Sequence, residues 1–340
     1  MEGGWRGLPR AWGPPPLRAR LRAAPEDFVV EELTAVRPEG RGEHLLVRVR
    51  KRGITTREAA RRLACALGVP PREVGWAGLK DAEAVATQWL SVRVGPGAEV
   101  PRPETLEAGA LEVLEVHRHG RRLRPGALRG NRFVLRLRRV EGERGAAEAR
   151  LARIAAGGVP NWFGPQRFAR GGLARAAAWA AGRARPRDRL ERGLWLSALR
   201  AALFNAILAE RVWAGLWARM LPGEVPVRAG GRWRAAEGAP DALPSGPLWG
   251  RGGTRAAGVA GALERFVAAL HAGWAAHLER AGLRAERRAL VLRPAALVWS
   301  WEGEDTLRLE MTLPRGAYAT ALVRELADTG EGRSPEASGG

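Results

Sequence analysis

The sequence predicts an α+β fold built on a mixed, mainly antiparallel sheet, with a helix-rich α+β domain inserted into it. Strand patterns outnumber helical ones up to about residue 145, Ala-rich helical segments follow, and strand patterns return at 290–292 and 307–313. Successive strands that are not each followed by a helix favour an antiparallel or mixed sheet over a doubly wound one. We therefore expect a helical domain to interrupt a sheet whose last strands come late in the chain.

The first part of the chain predicts an arm, several strands and one helix. Residues 1–17 are rich in Gly, Pro and Trp without periodicity, which indicates a flexible N-terminal arm. Thr55 with Glu58 three residues later has the form of a capping box, and apolar residues at helical spacing follow it as far as Gly68. Strands are predicted where apolar residues cluster or alternate, at 28–30, 43–50, 85–94, 111–117 and 131–140.

The second part predicts mainly helices. Gly-rich and Pro-rich loops cover about 221–253, and the Gly, Ser and Glu residues of 330–340 predict a disordered tail. Helices are predicted at 147–156, 173–181, 194–213, 256–281 and 320–327.

The net charge of +20 points to an anionic partner. All but two of the 56 basic residues are arginine, which binds phosphate oxygens in a bidentate manner and stacks on bases. Residues 117–139 hold nine arginines and no carboxylate, which we interpret as a local electropositive zone. The alternative is that compositional drift, or adaptation to heat, has filled ordinary surfaces with arginine.

Several classes of site are excluded or disfavoured. The single cysteine, Cys65, excludes an intrachain disulfide and a Cys-based zinc site, and the five histidines do not stand at ligand spacing. The sequence has no GxxxxGK[ST] phosphate loop, no GxGxxG dinucleotide loop and no GxSxG elbow. We therefore expect no metal, no P-loop nucleotide site and no dinucleotide site. The chain has no apolar run of 18 residues and no apolar signal-peptide core, so we expect a cytoplasmic protein without a membrane segment. The sequence leaves the oligomeric state open, and a monomer is favoured.

The scarcest residue types gather at residues 75–92. Lysine occurs only at Lys51 and Lys80, and glutamine only at Gln88 and Gln166. Lys80 stands directly before Asp81, and neighbouring cations favour the ionised form that a nucleophilic or general-base aspartate needs. From residue types alone, a solvated turn between strands remains the alternative.

The segment GWAGLKDAEAVATQW at 75–89 resembles the signature of the TruD family of tRNA pseudouridine synthases. The order and extent of the other similar blocks, from about residue 20 to 328, make a chance match very improbable. These blocks lie at 26–32, 42–53, 123–138, 159–168, 196–211 and 316–326.

The resemblance implies isomerisation of uridine 13 in the D-stem region of tRNA to pseudouridine, without a cofactor. It implies a pseudouridine synthase domain at 18–156 with 293–329, and a TRUD domain at 157–292. The family's nucleophilic aspartate falls on Asp81; attack at the ribose C1′ and passage through a glycal both remain open. Such chemistry requires the target base outside the stack, held against an aromatic face.

The resemblance also assigns substrate-binding positions. Asn131 and Phe133 fall on the family's polar and aromatic nucleotide contacts, and Phe28 and Tyr318 fall on two further aromatic positions. Tyr318 departs from the family, which has Phe there, so its hydroxyl adds either a hydrogen bond or a clash. Without the resemblance, Phe28 and Phe133 would as readily be sheet core.

Basic and amide residues complete the set. Arg22 stands where the family has a basic residue, usually Lys, and can pair with Asp81. Lys80 is a supporting basic residue that positions either Asp81 or a phosphate, or takes part in the chemistry. Asn161 and Asn205 are expected to be structural, bound to backbone groups.

Two other functions fit parts of the sequence. A non-catalytic RNA-binding or RNA-chaperone protein would use the same basic surface, but it would have no use for Asp81, which repels a polyanion. A metal-dependent nuclease would require several clustered carboxylates, and Asp81 with Glu83 is too small a set.

Overall fold

The computed structural model describes residues 5–168, 171–228, 239 and 241–330. Its contacts divide the chain into two compact units. The sheet unit comprises residues 18–142 and 294–316, and the helical unit comprises the described parts of 1–17, 143–293 and 317–340. Each unit is discontinuous in sequence. The functional domain boundaries given above stay a prediction.

Most strands belong to the sheet unit. In chain order the strands are β1 (Leu17–Leu21), β2 (Phe28–Thr34), β3 (His44–Arg52), β4 (Val74–Trp76), β5 (Val85–Arg93), β6 (Leu111–His119), β7 (Leu128–Gly142), β8 (Val159–Pro160), β9 (Val227–Arg228), β10 (Ala242–Leu243), β11 (Ser245–Leu248), β12 (Glu286–Ala289), β13 (Val291–Leu292), β14 (Ala295–Trp301), β15 (Leu307–Pro314) and β16 (Ala327–Asp328).

Most helices belong to the helical unit. In chain order the α-helices are α1 (Thr56–Ala66), α2 (Arg144–Gly157), α3 (Gly172–Ala180), α4 (Arg189–Trp213), α5 (Gly258–Leu270), α6 (Ala272–Arg280) and α7 (Ala319–Leu326). Short 3₁₀ helices cover Pro25–Asp27, Pro71–Glu73, Pro103–Leu106 and Pro165–Phe168.

The main sheet is mixed and mainly antiparallel, as predicted. Its strand order is β14-β15-β7-β2-β5-β3-β6, with β4 paired to β5. Neighbours along this path are antiparallel except β2 and β5, which run parallel. This parallel pair places the start of β2 beside the start of β5, where the loop at 77–84 ends.

The two faces of the sheet differ as the alternation in β3 predicts. Leu45, Val47 and Val49 pack with Leu90 against α1, whereas Leu46 on the opposite face packs with Trp89 and Leu123. The predicted cap of α1 is confirmed, because the Thr55 side chain accepts a hydrogen bond from Glu58 N at 3.1 Å. Helix α1 therefore covers one face of the sheet, directly beside the strands that border the loop at 77–84.

Three arginines of β7, at 132, 136 and 138, do not form an uncompensated basic surface, and the sequence interpretation is wrong for these residues of 117–139. Arg132 Nε lies 2.8 Å from Glu310 Oε1, and Arg136 Nε lies 2.7 Å from Glu302 Oε2. Arg138 Nε lies 2.8 Å from Asp27 Oδ1. These carboxylates are distant in sequence and become neighbours only when β2, β7 and β15 pair.

Helix α4 forms the centre of the helical unit. Asp188 caps it by accepting from Glu191 N at 2.7 Å, and it buries a long apolar stripe that includes Phe204 and Ile207. By length and composition α4 could cross a membrane, but 72% of its most apolar window is buried inside the structure. That burial is typical of a core helix, and the absence of a membrane segment stays a prediction.

The single helix predicted at 256–281 is wrong, because the chain forms two helices with a break at His271. His271 has φ −119° and ψ 36°, outside the helical range, and its carbonyl oxygen accepts from Trp274 N at 2.9 Å to start α6. The His271 and Trp274 rings stack with centroids 4.8 Å apart. This stacked pair at the break is a side-chain interaction that apolar periodicity does not detect.

The described part of the N-terminal arm, residues 5–17, belongs to the helical unit and contacts other parts of that unit through Trp12. Trp12 Nε1 donates to Gly158 O at 3.1 Å, and its ring meets Trp217 edge-on at 5.8 Å. Contacts do not measure mobility, so the flexibility of the arm stays a prediction. The predicted tail beyond Gly330 lies outside the described residues.

Buried ion pairs generate a stability prediction. Arg287 Nη2 lies 2.8 Å from Glu264 Oε1, and both side chains are almost fully buried. Replacing Glu264 by alanine leaves a buried guanidinium without its main counter-charge, so we expect the free energy of unfolding to fall by about 3–5 kcal/mol. Urea unfolding followed by tryptophan fluorescence measures this loss.

The matched control is Glu112→Ala, which breaks a pair with Arg50 in which both side chains are about half exposed. Water screens such a pair, so the expected loss is below about 1 kcal/mol. Equal losses in the two variants would contradict the assigned role of burial.

Candidate active site

Asp81 lies on the loop at 77–84, between β4 and β5, with its side chain 27% exposed. Arg22 Nη2 donates to Asp81 Oδ2 at 2.9 Å, and Glu83 N donates to Asp81 Oδ1 at 3.2 Å. Both carboxylate oxygens therefore have a fixed donor. The predicted pairing of Arg22 with Asp81 is present in the structure.

Arg22 is held in an unusual backbone conformation directly after β1. Its φ is 60°, a left-handed value that costs a non-glycine residue of order 1–3 kcal/mol and that is often found at functional sites. Its guanidinium carbon lies 4.2 Å from the centroid of the Phe28 ring. The arginine is thus fixed on one side by an aromatic face and on the other by the Asp81 carboxylate.

Phe28 and Phe133 lie next to each other on β2 and β7. Their rings meet edge to face, with centroids 6.1 Å apart and an interplanar angle of 82°. They are only 4% and 6% exposed, so they also serve as sheet core. The ring of Phe28 connects this aromatic pair to Arg22 and, through it, to Asp81.

Lys80 ties the loop to the sheet. Its Nζ lies 2.9 Å from Glu32 Oε2 and donates to Asn131 Oδ1 at 2.7 Å. Glu32 and Asn131 are paired directly across β2 and β7. The backbone N of Lys80 donates to Thr56 Oγ1 at 2.8 Å, and that hydroxyl donates to Gln88 Oε1 at 2.9 Å. Three roles were left open for Lys80, and these contacts support the one in which Lys80 positions Asp81.

Lys51 is a residue that the sequence analysis did not assign to the site. Its Nζ donates to the backbone oxygen of Asp81 at 2.5 Å and to Ile54 O at 2.6 Å, and the residue is fully buried. Burial lowers the pKa of Lys51 to about 8; the charge of Asp81 opposes this shift and that of Lys80 adds to it. The signal that could have revealed it is its rarity, since it is one of only two lysines.

Tyr318 lies in the helical unit, at the N-terminus of α7, whereas the other six predicted site residues lie in the sheet unit. Its hydroxyl accepts a hydrogen bond from Arg167 Nε at 3.1 Å, so the added oxygen has a partner. Its ring lies 6.1 Å from that of Phe163, over which Arg288 stacks at 4.1 Å. Burial lowers the pKa of Arg288 to about 10.

Asn161 and Asn205 bind backbone groups, which confirms their predicted structural role. Asn161 Nδ2 donates to Ala289 O at 2.8 Å. Asn205 exchanges two hydrogen bonds with the backbone of Phe163, each of 3.0 Å. Within the described residues, no group of three or more His, Cys, Asp or Glu side chains is arranged to hold a metal ion. The expected absence of a metal stays a prediction.

Comparison with known proteins gives the family. The family model described as tRNA pseudouridine synthase D (TruD) matches residues 10–191 and 184–326. The chain belongs to the TruD family. The resemblance drawn from residues 75–89 and the later blocks is thereby confirmed.

The relatives of this TruD chain match it over almost its whole length. It is 44% identical to the tRNA pseudouridine synthase D of Nitrosococcus oceani, over 97% of this chain and 96% of that one. It is 45% identical to the protein of the same name from Xanthomonas euvesicatoria, over 94% of each chain. A crystal structure titled as a putative tRNA pseudouridine synthase D from Methanosarcina mazei has the same fold, with a TM-score of 0.68, 22% identity and coverage of 93% of this chain and 95% of that one.

The two lysines of this TruD chain allow a direct test of the environment of Lys51. Lysine labelled at the ε position gives NMR signals from Lys51 and Lys80 alone. The signal that is missing from the spectrum of the Lys51→Met variant is that of Lys51. We expect the Lys51 signal to titrate near pH 8, because burial disfavours its charged form. A Lys51 titration above about pH 10, the range of an exposed lysine, would show that the ammonium is not buried as described.

The same shift predicts how stability depends on pH. The folded-state pKa of Lys51 lies below its ordinary value of 10.5, so between about pH 8 and 10.5 the unfolded chain binds more protons at this residue. Lys51 therefore contributes an increase in the free energy of unfolding as pH rises through this window. Comparison of the parent with Lys51→Met, which lacks this contribution, isolates it.

Proposed function

We propose that this chain isomerises uridine to pseudouridine in tRNA, at position 13 of the D-stem region, with Asp81 as nucleophile and the target uridine flipped out of the stack. The observation that carries the proposal is the Asp81 carboxylate, bound at 2.9 Å by Arg22 within the segment that matches the family signature. The near full-length relatives named tRNA pseudouridine synthase D support the reaction and the substrate.

The reaction needs no co-reactant. The bond from N1 of uracil to the ribose C1′ breaks, and a bond from C5 to C1′ forms. N1 gains a proton and C5 loses one, so atoms and electrons balance within the nucleotide. Asp81 acts on the ribose side, either by bonding to C1′ or by removing a sugar proton to give a glycal, and both routes use an ionised carboxylate.

The loop prepares Asp81 for this role before substrate arrives. Arg22 and the Glu83 backbone N–H fix the carboxylate, and Lys51 fixes the Asp81 carbonyl. The side chain of Lys80, the residue directly before Asp81, is itself held by Glu32. A group that is already oriented loses little freedom on reaching the transition state. The partial exposure of the Asp81 side chain leaves it accessible to a nucleotide.

The proposal assigns Asn131 to contact with the flipped base. Its Oδ1 accepts from Lys80 Nζ at 2.7 Å, which fixes the amide orientation and leaves the two Nδ2 hydrogens without a partner in the described part of the chain. These donors can bind a uracil carbonyl, while Phe133 and Phe28 offer aromatic faces or edges to the ring. The proposal also assigns Tyr318 as a further aromatic contact to the nucleotide.

The proposed enzyme is a cytoplasmic monomer that uses neither a metal nor a cofactor.

Replacement of Asp81 tests the nucleophile. We expect Asp81→Asn to reduce pseudouridine formation by at least about a thousandfold, because the amide cannot attack the ribose, while tRNA binding is retained. The readout is pseudouridine in an unmodified tRNA transcript, located by chemical derivatisation and primer extension. Glu83→Gln, two residues away on the same loop and exposed, is the matched control and should stay active.

The outcomes separate the alternatives. If parent and Asp81→Asn are both inactive yet bind tRNA, a non-catalytic RNA-binding protein is favoured. If both are active, Asp81 is not the nucleophile. A transcript with cytidine at position 13 tests which uridine is modified. Pseudouridine formed at another uridine of this transcript would overturn the assigned position, although the synthase activity itself would stand.

A further inference from the structure

Apart from the candidate active site, the sheet unit contains a cavity that we call the arginine groove. It is a cavity of about 830 Å³ between the residues that follow β2 and the connection from β6 to β7. Its lining residues include four arginines, Arg37, Arg121, Arg122 and Arg124.

One wall of the groove is fixed by hydrogen bonds. Arg122 donates to the backbone oxygens of Arg72 and Val74 at 2.5 and 2.6 Å. Leu123 N donates to Ser91 Oγ at 2.8 Å, and Gly126 N donates to Ala77 O at 2.7 Å. The 120–128 connection is therefore held against β4, β5 and the loop that carries Asp81.

The cations of the groove lack counter-charges. The side chains of Arg37, Arg121 and Arg124 are exposed and make no hydrogen bond or ion pair within the described residues. The single lining carboxylate, Glu39, accepts from Gly120 N at 3.0 Å and lies 3.7 Å from His119 Nδ1. The β7 arginines at 132, 136 and 138, by contrast, are each paired with a carboxylate. The groove therefore keeps an unneutralised positive charge, whereas the charges of these three β7 arginines are neutralised by their carboxylate partners.

The groove lies close to the candidate active site within the same unit. Its lining residues Ala35 and Leu128 stand three positions along the chain from Glu32 and Asn131, which is roughly 10 Å at the rise of a β-strand. The Gly126 to Ala77 hydrogen bond joins its wall to the loop of Asp81. A polymer whose reacting unit is at Asp81 would have its neighbouring units near this groove.

We propose that the arginine groove binds the phosphate backbone of the RNA strand next to the target nucleotide. This inference rests on the proposed function and adds the place where the flanking strand is held. Exposed guanidinium groups without partners bind phosphate oxygens in a bidentate manner, and no existing ion pair has to break first. An acidic protein segment would also be attracted, but the position beside Asp81 favours the substrate itself.

A charge-matched pair of double variants tests the groove. Arg121→Gln with Arg124→Gln removes two groove cations. Arg102→Gln with Arg139→Gln removes two exposed arginines outside the groove, whose side chains also have no partner in the described residues. The readouts are the Kd for unmodified tRNA across a range of salt concentrations, and KM and kcat for pseudouridine formation.

We expect the groove variant to reduce the slope of log binding constant against log salt by about 2, because each arginine that no longer neutralises a phosphate lowers the slope by about 1. Its Kd at low salt should weaken by about tenfold or more, with KM raised and kcat retained. The control variant, which changes net charge equally, should have a much smaller effect. Equal effects in the two variants, or tRNA binding unchanged in both, would overturn the inference, and an acidic protein partner would then become the alternative.

Crosslinking locates the RNA independently. Arg121→Cys in a Cys65→Ser background carries one photo-crosslinker in the groove, and the parent carries the same reagent at its native, exposed Cys65. We expect crosslinks to nucleotides flanking the target from position 121 only; no crosslink there, or equal crosslinking from Cys65, would contradict the groove. Failure of the proposed function is separate, since it would appear as absence of pseudouridine with the parent protein.

Discussion

The geometry of the candidate site depends on one buried ion pair, between Lys80 and Glu32. The two side chains are 5% and 1% exposed, and a charge at such depth is costly unless it is both paired and hydrogen-bonded. Asn131 supplies a further acceptor for Lys80, and Trp89 N approaches Glu32 Oε1 at 3.4 Å. Any movement of the loop that separated the pair would leave two buried charges uncompensated. The pair therefore specifies where Asp81 stands more than it adds to overall stability.

The only two lysines of the chain both serve this loop. Lys51 reaches two backbone oxygens with one ammonium group, and Lys80 reaches a carboxylate and an amide oxygen. An ammonium is a compact donor at the end of a flexible stem, whereas a guanidinium is a planar fork that needs more space. In a chain that otherwise uses arginine, this difference in shape gives a physical reason for lysine at these two positions.

Local patterns were enough to predict most elements and to single out the segment that carries the candidate site. Alternation predicted β3 and β7, Thr55 and Glu58 predicted the cap of α1, and the rarity of Lys80 pointed to Asp81. Side-chain pairs made by folding were not predictable in this way. Glu32 is one of several acidic residues in its segment, and only the pairing of β2 with β7 and the course of the loop bring it to Lys80. The break at His271 likewise has no proline, and the adjacent apolar pattern continues across it.

The arginine surplus of the sequence divides into two physical classes once the fold is known. On β3 and β7, some arginines are paired with carboxylates of other strands: Arg48 pairs with Glu31 and Glu115, and Arg132 with Glu31 and Glu310. A mixed surface of this kind has little net field and attracts a polyanion weakly. In the connections at 35–39 and 119–128 the arginines at 37, 121, 122 and 124 have no carboxylate partner among the described residues, so their positive charge is not neutralised there. Net charge predicts that an anionic partner exists, whereas the pairing of each arginine determines where such a partner would be attracted, and in the sheet unit we propose the arginine groove as that place.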